Sequence, residues 1–449
     1  MKSSCFWPAK TNRYGVEIML PKIITLPPVD LCGTLDAISS KSDLHRLVIC
    51  ASLSQKPSQI RYHAALSKDI EATVSVLRAL GAQVSVEPST DGYSGRIDVM
   101  RPIDPETVRR GTVLDCGESG STARFILPLA ALYGKDVTLT GSGKLPERPF
   151  EDLCTALEAM GARFSSHKLP IRVEQTLKPH GSFEIRGNVS SQYITGLLFI
   201  LPLCKATGIH LTTPLESAGY VELTTDTLRC YGVAVEWVDN HLRTTGSYVS
   251  PSDIIDAQGD WSNAAFWLAA ANGGNKITLN GLNLSSQPDR LVLKLLSEMG
   301  MEIKTQGSSV YAFAPGRTHG IHFDAKNIPD LVPVLSVRAA VSEGSTVISG
   351  IRRLRLKESD RVEAVCRMIN GLGGSAHADE DNIYIEGKET LSGGAVDSFN
   401  DHRIAMSASI ASVFCENPVT INGADAVAKS YPQFFDDFKK LARSKTQNA

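Results

Sequence analysis

Several things are scarce in this chain of 449 residues. An excess of either charge is lacking: 46 Lys and Arg stand against 48 Asp and Glu, a formal net charge of −2. That balance gives no reason to expect a nucleic-acid partner or an anionic membrane surface. No apolar run reaches the ~18 residues that a spanning helix needs. The most tempting stretch, Ile194–Leu203, is short and reads as a buried core helix. The nine cysteines, at positions 5, 32, 50, 116, 154, 204, 230, 366 and 415, contain no C-x-x-C pair. Lying mostly in apolar segments, they read as reduced core residues of a cytoplasmic protein, neither a disulfide frame nor a zinc site. The chain also lacks G-x-x-x-x-G-K-S/T, a dinucleotide fingerprint after a strand, H-E-x-x-H and G-x-S-x-G. Its histidines are not spaced with carboxylates or cysteines as a metal site requires, so neither metal nor cofactor is expected. Residues 1–20 carry Lys2, Lys10 and Arg13 without an apolar h-region. They read as a disordered extension, not a signal peptide, with Met19 a possible start.

What is present is a repeat. The length argues for two or more domains, and six segments share one design, a polar turn of small residues opening into an apolar helix. They are Ser42–Leu53, Ser121–Leu132, Ser191–Leu203, Ser262–Ala271, Asp330–Val341 and Asp401–Val413, with starts 79, 70, 71, 68 and 71 residues apart. In the second, Ser121 or Thr122 is the expected N-cap. Between them runs an amphipathic helix ending in glycine: Glu71–Gly81, Phe150–Gly161, Val221–Gly232, Asp289–Gly300 and Asp360–Gly373. Short β-like runs such as Ala82–Val86, Val233–Val238, Val310–Ala314 and Ile383–Ile385 follow. Each unit is therefore expected to be β-α-β-α-β-β, present six times. A helix apolar nearly all round must be interior, and the amphipathic one must pack outside it. The expected fold class is α+β, with three units in each of two domains around interior helices, an inside-out α/β barrel arrangement. The division falls at about residues 40 and 257, giving one discontinuous domain of 21–39 plus 258–449 and a second of 40–257. If the interior helices of each half run parallel, their N-termini converge on one face, and two such faces make a cleft suited to anions.

Cations cluster at those helix starts: Lys41, Arg46, Arg124, Lys144, Arg148, Lys357, Arg361, Arg403 and Lys429. Jointly, in a nearly neutral chain, they favour binding of phosphate or carboxylate. Among them stand Asp330, Glu358, Asp360, Asp401 and His402. Each also has a plain structural reading. Asp330 and Asp401 could be helix N-caps, Glu358 an ion-pair partner of Arg361, and His402 a packed histidine. Ser190, Ser191 and Gln192 could grip an anion or simply cap a turn.

Taken together, SKSDLHR, GESGSTARF, LPERPFEDL, VSSQYITGLL, GDWSNAAF, NIPDLVPVL, LKESDRVEA, FNDHRIAM and AKSYPQFF resemble, in order, the 5-enolpyruvylshikimate-3-phosphate synthase family. The resemblance runs from about Pro27 to Leu441. It implies transfer of the enolpyruvyl group of phosphoenolpyruvate to the 5-hydroxyl of shikimate 3-phosphate, without cofactor, by a monomer whose only partners are these small molecules. By resemblance, Lys41, Ser42, Arg46, Ser190, Ser191, Gln192, Ser217, Tyr220, Asp330 and Lys357 hold shikimate 3-phosphate. Lys41, Gly120, Arg124, Arg148, Gln192, Arg361, Arg403 and Lys429 hold phosphoenolpyruvate. Lys41, Asp330, Glu358, His402 and Lys429 are the implied catalytic groups, with Asp330 facing the 5-hydroxyl and Glu358 serving the enolpyruvyl methylene. Two alternatives are the sister enzymes acting on UDP-N-acetylglucosamine and a non-catalytic anion binder. The first typically has a loop cysteine that Gly143–Pro149 lacks, and the second should be more basic. Three positions depart from the usual pattern. Glu118 stands where a neutral Asn is common, Lys144 where Arg is common, and Arg353 where Asn is frequent, so Arg353 is left out of the expected site.

Overall fold

The computed structural model describes residues 22–88, 94–134, 136–252, 254–283 and 285–444. The expected extension at 1–20, with Met19 and Cys5, lies outside the described residues.

The six interior helices are Lys41–Leu53, Gly120–Tyr133, Ser191–Ile200, Trp261–Ala270, Val332–Ala339 and His402–Ala411. They are buried along nearly their whole length because they are apolar nearly all round, and the few charges they carry, such as Asp43, Arg46, Arg124 and Arg338, are hydrogen-bonded inside. The outer helices Lys68–Ala79, Glu151–Glu158, Ala218–Cys230, Val292–Glu298, Arg361–Gly371 and Phe434–Leu441 bury one face each. Five four-stranded sheets share one order: a strand parallel to the second, then two antiparallel neighbours. One example is Ser182–Ile185, Gly208–Leu211, His241–Gly246 and Val233–Val238. A sixth sheet has three strands, with Ile23–Leu26 antiparallel to Val419–Asn422. No sheet closes on itself among the described residues. The interior helices are thus wrapped by separate sheets, not by a continuous barrel.

Two strands come from distant parts of the chain. Gly33–Asp36 completes the sheet of Lys276–Asn280, and Ile255–Asp256 completes that of Ser58–His63. The chain passes between these sheets twice, and the passages lie side by side. Ser39 bridges Gly259, the Ser40 amide donates to the Gln258 carbonyl at 2.7 Å, and the Gln258 amide donates to Asp43 at 2.9 Å. The buried apolar side chains fall into two clusters: one from Ile24–Ile38 with Trp261–Leu441, the other from Leu44–Ala257.

The helix starts differ from expectation in detail. Ser119, not Ser121 or Thr122, caps Gly120–Tyr133, accepting from the Thr122 amide at 3.1 Å. Asp401 is an N-cap, accepting from the Arg403 amide at 2.9 Å. Asp330 is not, because Leu331 holds that position, and its carboxylate is turned elsewhere. Ile194–Leu203 is helical to Ile200 and then tightens into a 3₁₀ turn containing Pro202. No disulfide joins the eight described cysteines; four are buried, and Cys230 is exposed. No helix among the described residues is long and apolar enough to cross a membrane.

Candidate active site

A cleft between the two apolar clusters is lined from both sides. From one come Lys41, Ser42, Arg46, Arg124, Arg148, Ser190, Ser191, Gln192, Ser217 and Tyr220; from the other, Asp330, Lys357, Glu358, Arg361, His402 and Arg403. Most of these side chains sit at helix starts, where unsatisfied N–H groups and the dipole favour negative charge.

The centre is Arg361, whose side chain is 1% exposed. Its Nε donates to Asp401 at 2.8 Å, Nη1 to Asp330 at 2.6 Å and Nη2 to Glu358 at 2.8 Å. Arg403 Nη2 reaches the other Asp330 oxygen at 2.8 Å. Across the cleft, Arg148 Nη1 reaches the second Glu358 oxygen at 3.1 Å. Burial alone would raise both carboxyls; Arg403, Lys357 and Arg361 overcome it at Asp330, and Arg148, Arg361 and Lys357 at Glu358. Both carboxylates are therefore held well below the usual range and are ionised. Burial, with Arg361 and Arg353 nearby, brings Lys357 down to about 8. His402 is kept neutral by burial and by Lys41 and Arg403, and neither ring nitrogen has a hydrogen-bond partner among the described residues.

On the other wall the cations are already engaged. Lys41 pairs with Asp69 at 2.7 Å. Arg46 donates to Thr224 and to the Ser42 and Tyr220 carbonyls and lies over the Phe125 ring at 5.2 Å. Arg124 sits between Phe150 and Tyr193 and donates to Gln192 at 2.6 Å. It is placed by a close helix crossing: any Cβ on Gly196 would strike the Arg124 carbonyl. Gly120 lines no part of the cleft itself, but a Cβ there would collide with the Arg148 guanidinium. Ser217 is held in a left-handed conformation, φ 57°, unusual for serine. The cavity left among these groups is about 90 Å³, below the ~300 Å³ at the small end of ligand pockets. The reason is plain: the cations are turned onto carboxylates.

Lys429 lies beside this cavity and does not line it. Its Nζ donates to Glu118 at 2.8 Å and to the Asn400 carbonyl at 2.6 Å, and the Asn400 amide also donates to Glu118 at 2.8 Å. The negative charge of Glu118 is thus answered from the opposite wall. Lys144 is exposed and outside the lining. Arg353, excluded on sequence grounds, does line the cleft, donating to Ser217 at 2.9 Å with Glu216 at 3.6 Å. The basic run RRLRLK carried that signal. Ser121 also lines the cleft, accepting from the Gln192 amide at 2.9 Å.

A family model described as EPSP synthase (3-phosphoshikimate 1-carboxyvinyltransferase) matches residues 26–438. The chain belongs to this family. Members from Clostridium acetobutylicum and Clostridium kluyveri, both named 3-phosphoshikimate 1-carboxyvinyltransferase, are 40% and 39% identical to it. The alignments cover 93% and 94% of this chain and 97% of each relative. In fold the chain is similar to the EPSP synthase of Acinetobacter baumannii, with a TM-score of 0.71 at 24% identity over 94% of this chain and 98% of that one. The enolpyruvyl transferase NikO of Streptomyces tendae gives the same TM-score at 17% identity, over 94% of this chain and 97% of that one. In this EPSP synthase family member the cleft's charged groups face each other from two walls.

Proposed function

We propose that this protein transfers the enolpyruvyl group of phosphoenolpyruvate to the 5-hydroxyl of shikimate 3-phosphate, forming 5-enolpyruvylshikimate 3-phosphate and phosphate. The observation that carries the reading is the pairing of Asp330 and Glu358 on Arg361, with Arg148 closing on Glu358 from the opposite wall. Two carboxylates of separate orientation lie within a cation-rich cleft, as two polyanionic substrates and two proton transfers require. The domains proposed are 21–39 with 258–449, and 40–257; the two apolar clusters support that division.

Shikimate 3-phosphate is held by Ser190, Ser191, Gln192, Ser217, Tyr220, Lys41, Ser42, Arg46 and Lys357, with Arg353 added beside Ser217. Phosphoenolpyruvate lies against Arg148, Arg361, Arg403, Arg124 and Gln192, with Gly120 giving room for Arg148, and Lys41 and Lys429 at its edges. Addition forms a bond between the 5-oxygen and C2 while C3 gains a proton, giving a tetrahedral intermediate that bears phosphate. Asp330 takes the hydroxyl proton. Elimination breaks the C2–O bond to phosphate as a proton leaves C3. Glu358, carrying a proton once both substrates are bound, delivers it to C3 in the addition and takes one back in the elimination, while the proton held by Asp330 leaves with the phosphate; His402 and Lys429 are neighbours. Before substrates arrive Glu358 is a poor base, because Arg148 and Arg361 hold it ionised. Substrate phosphate and carboxylate draw those guanidinium groups away, so substrate binding itself raises Glu358 basicity. Enclosure between the walls supplies proximity and a low dielectric. The protein is expected to act as a cytoplasmic monomer.

The test is phosphate release by purified protein given phosphoenolpyruvate with shikimate 3-phosphate or with UDP-N-acetylglucosamine. Release with shikimate 3-phosphate alone is expected. Release only with the nucleotide sugar, or with neither, overturns the reading.

A further inference from the structure

Behind Tyr220 lies a carboxyl that the chemistry above does not use. Asp289 stands in the 3₁₀ turn Pro288–Leu291 and is 1% exposed. Its Oδ2 accepts from the Ser262 hydroxyl, at the start of helix Trp261–Ala270, and lies 3.2 Å from Tyr220 Oη. The same Tyr220 oxygen is 3.3 Å from Asp330 Oδ2. Asp289 Oδ1 is buried with no hydrogen-bond partner among the described residues.

A tyrosine hydroxyl has one proton and cannot donate to two carboxylates at once. Either the hydrogen points to Asp330 while Asp289 brings a proton of its own to the Tyr220 oxygen, or Asp289 is ionised and competes for the hydrogen. The groups facing Asp289 decide between these. Asp330 and Asp260 are negative, Arg403 is the cation that opposes them, and Ser262 donates a neutral hydrogen bond. Asp330, by contrast, is held by Arg361, Arg403 and Lys357. Placing a second negative charge on a carboxyl with a bare buried oxygen is costly. Burial and the Asp330 charge accordingly push Asp289 up to about 6.

We propose that Asp289 is a positioning residue for the transfer reaction, setting through Tyr220 whether Asp330 receives a hydrogen bond or is open to accept the substrate proton. With Asp289 protonated, its O–H is given to Tyr220, whose own hydrogen fills an Asp330 lone pair and lowers that carboxylate's basicity. With Asp289 ionised, Tyr220 turns its hydrogen to Asp289, and Asp330 is free to take the 5-hydroxyl proton. The inference rests on the activity proposed above, and its test has one readout that does not.

That readout is difference infrared spectroscopy of the intact protein. A buried protonated carboxyl should give a carbonyl band at about pH 5 that is gone by about pH 7.5. The part due to Asp289 should be missing in Asp289→Asn and displaced in Tyr220→Phe, leaving only what Asp43, which burial also pushes up to about 6, contributes. No such band in the wild type, or an unchanged band in Asp289→Asn, overturns the proposal whether or not the protein turns over. The second readout is the pH profile of kcat. The wild type should lose rate on acidification with a midpoint of about 6. Asp289→Asn, which cannot ionise, should lose that limb and fall about tenfold in kcat, with KM for phosphoenolpyruvate changed less than about twofold. A uniform loss that keeps the wild-type limb means a merely structural role and refutes the proposal. A melting temperature and shikimate 3-phosphate affinity near wild type establish that the variant is folded. If infrared places the proton on Asp289 while no substrate pair releases phosphate, the activity fails and the proton location stands.

Discussion

Replacing Arg361 by Lys keeps the charge and removes the fork. In the wild type one guanidinium serves Asp401, Asp330 and Glu358 at 2.6–2.8 Å from three different nitrogens. An ammonium is a point charge on a thinner stem and cannot span three carboxylates that surround a planar group. At least one buried carboxylate then loses a direct partner; Asp401, fully buried, has no solvent to replace it. Breaking a buried pair costs about 3–5 kcal/mol, and retention of one pair by lysine argues for the lower end. At about 2–4 °C per kcal/mol for a body of about 200 residues, the melting transition should fall by about 6–12 °C. The deficit should depend on pH. Asp330 and Glu358 have depressed folded-state values, so their stabilisation is present above the unfolded carboxyl range, about 4, and is lost as pH falls through the folded values. The melting gap should thus be constant at about pH 6–8 and narrow below about pH 4. Calorimetry at several pH values measures it, and phosphate release run alongside should fall about a thousandfold. A gap below about 2 °C at neutral pH, or one that widens in acid, refutes the account of Arg361 as the shared cation.

Glu358→Gln keeps one acceptor oxygen where Arg148 and Arg361 now use two, and it cannot take a proton. Turnover should fall about a thousandfold while calorimetric binding of shikimate 3-phosphate persists; near-normal turnover would end its proton role. Lys357 is charged below its pKa, which burial lowers to about 8. Affinity for shikimate 3-phosphate should therefore weaken as pH rises through about 8, and Lys357→Arg should move that limb above about pH 10. Because the cavity is about 90 Å³, admission of both substrates requires the walls to part.

Periodicity was the legible part of the fold. Helices apolar nearly all round can only be interior, and their regular spacing marks six units. Which strand completes which sheet was hidden, since Ile255–Asp256 joins Ser58–His63 and Gly33–Asp36 joins Lys276–Asn280 across long separations. At Gly120 the start was misplaced because Ser119, Ser121 and Thr122 are all competent caps, and only backbone geometry chooses Ser119. The residue types of the site were readable from motif and charge, but their pairing was not. Asp330 looks like a cap in sequence, yet its partners Arg361 and Arg403 are 31 and 73 residues away. Arg353 was set aside for departing from a pattern, although its place on the Ser217 side follows from the fold. Asp289 had no local signal beyond a helix start; its meaning comes from Tyr220 reaching it across the cleft.

The cleft is best understood through charge compensation. An anion site with this many guanidinium groups would repel itself open unless the cations were answered, and here each wall answers the other. Glu358 meets Arg148, Glu118 meets Lys429, and Asp330 and Asp401 meet Arg361. Seen this way, Glu118 is no defect in an anion-binding turn. It is the counter-charge that keeps Lys429 in place against the opposite wall, with Asn400, itself held at φ 56°, completing the contact. On the site proposed above, binding would be an exchange in which substrate phosphate and carboxylate replace protein carboxylates on the same cations. The affinity gained would be the difference between two sets of ion pairs, less the cost of desolvating the incoming anions, and is smaller than the number of contacts suggests. In that proposal the displaced carboxylates would not leave the site: Asp330 and Glu358 would lose cationic partners and become more basic beside the atoms whose protons must move. The cost of breaking the resting ion pairs is thereby converted into basicity at the moment both substrates are present, and at no other.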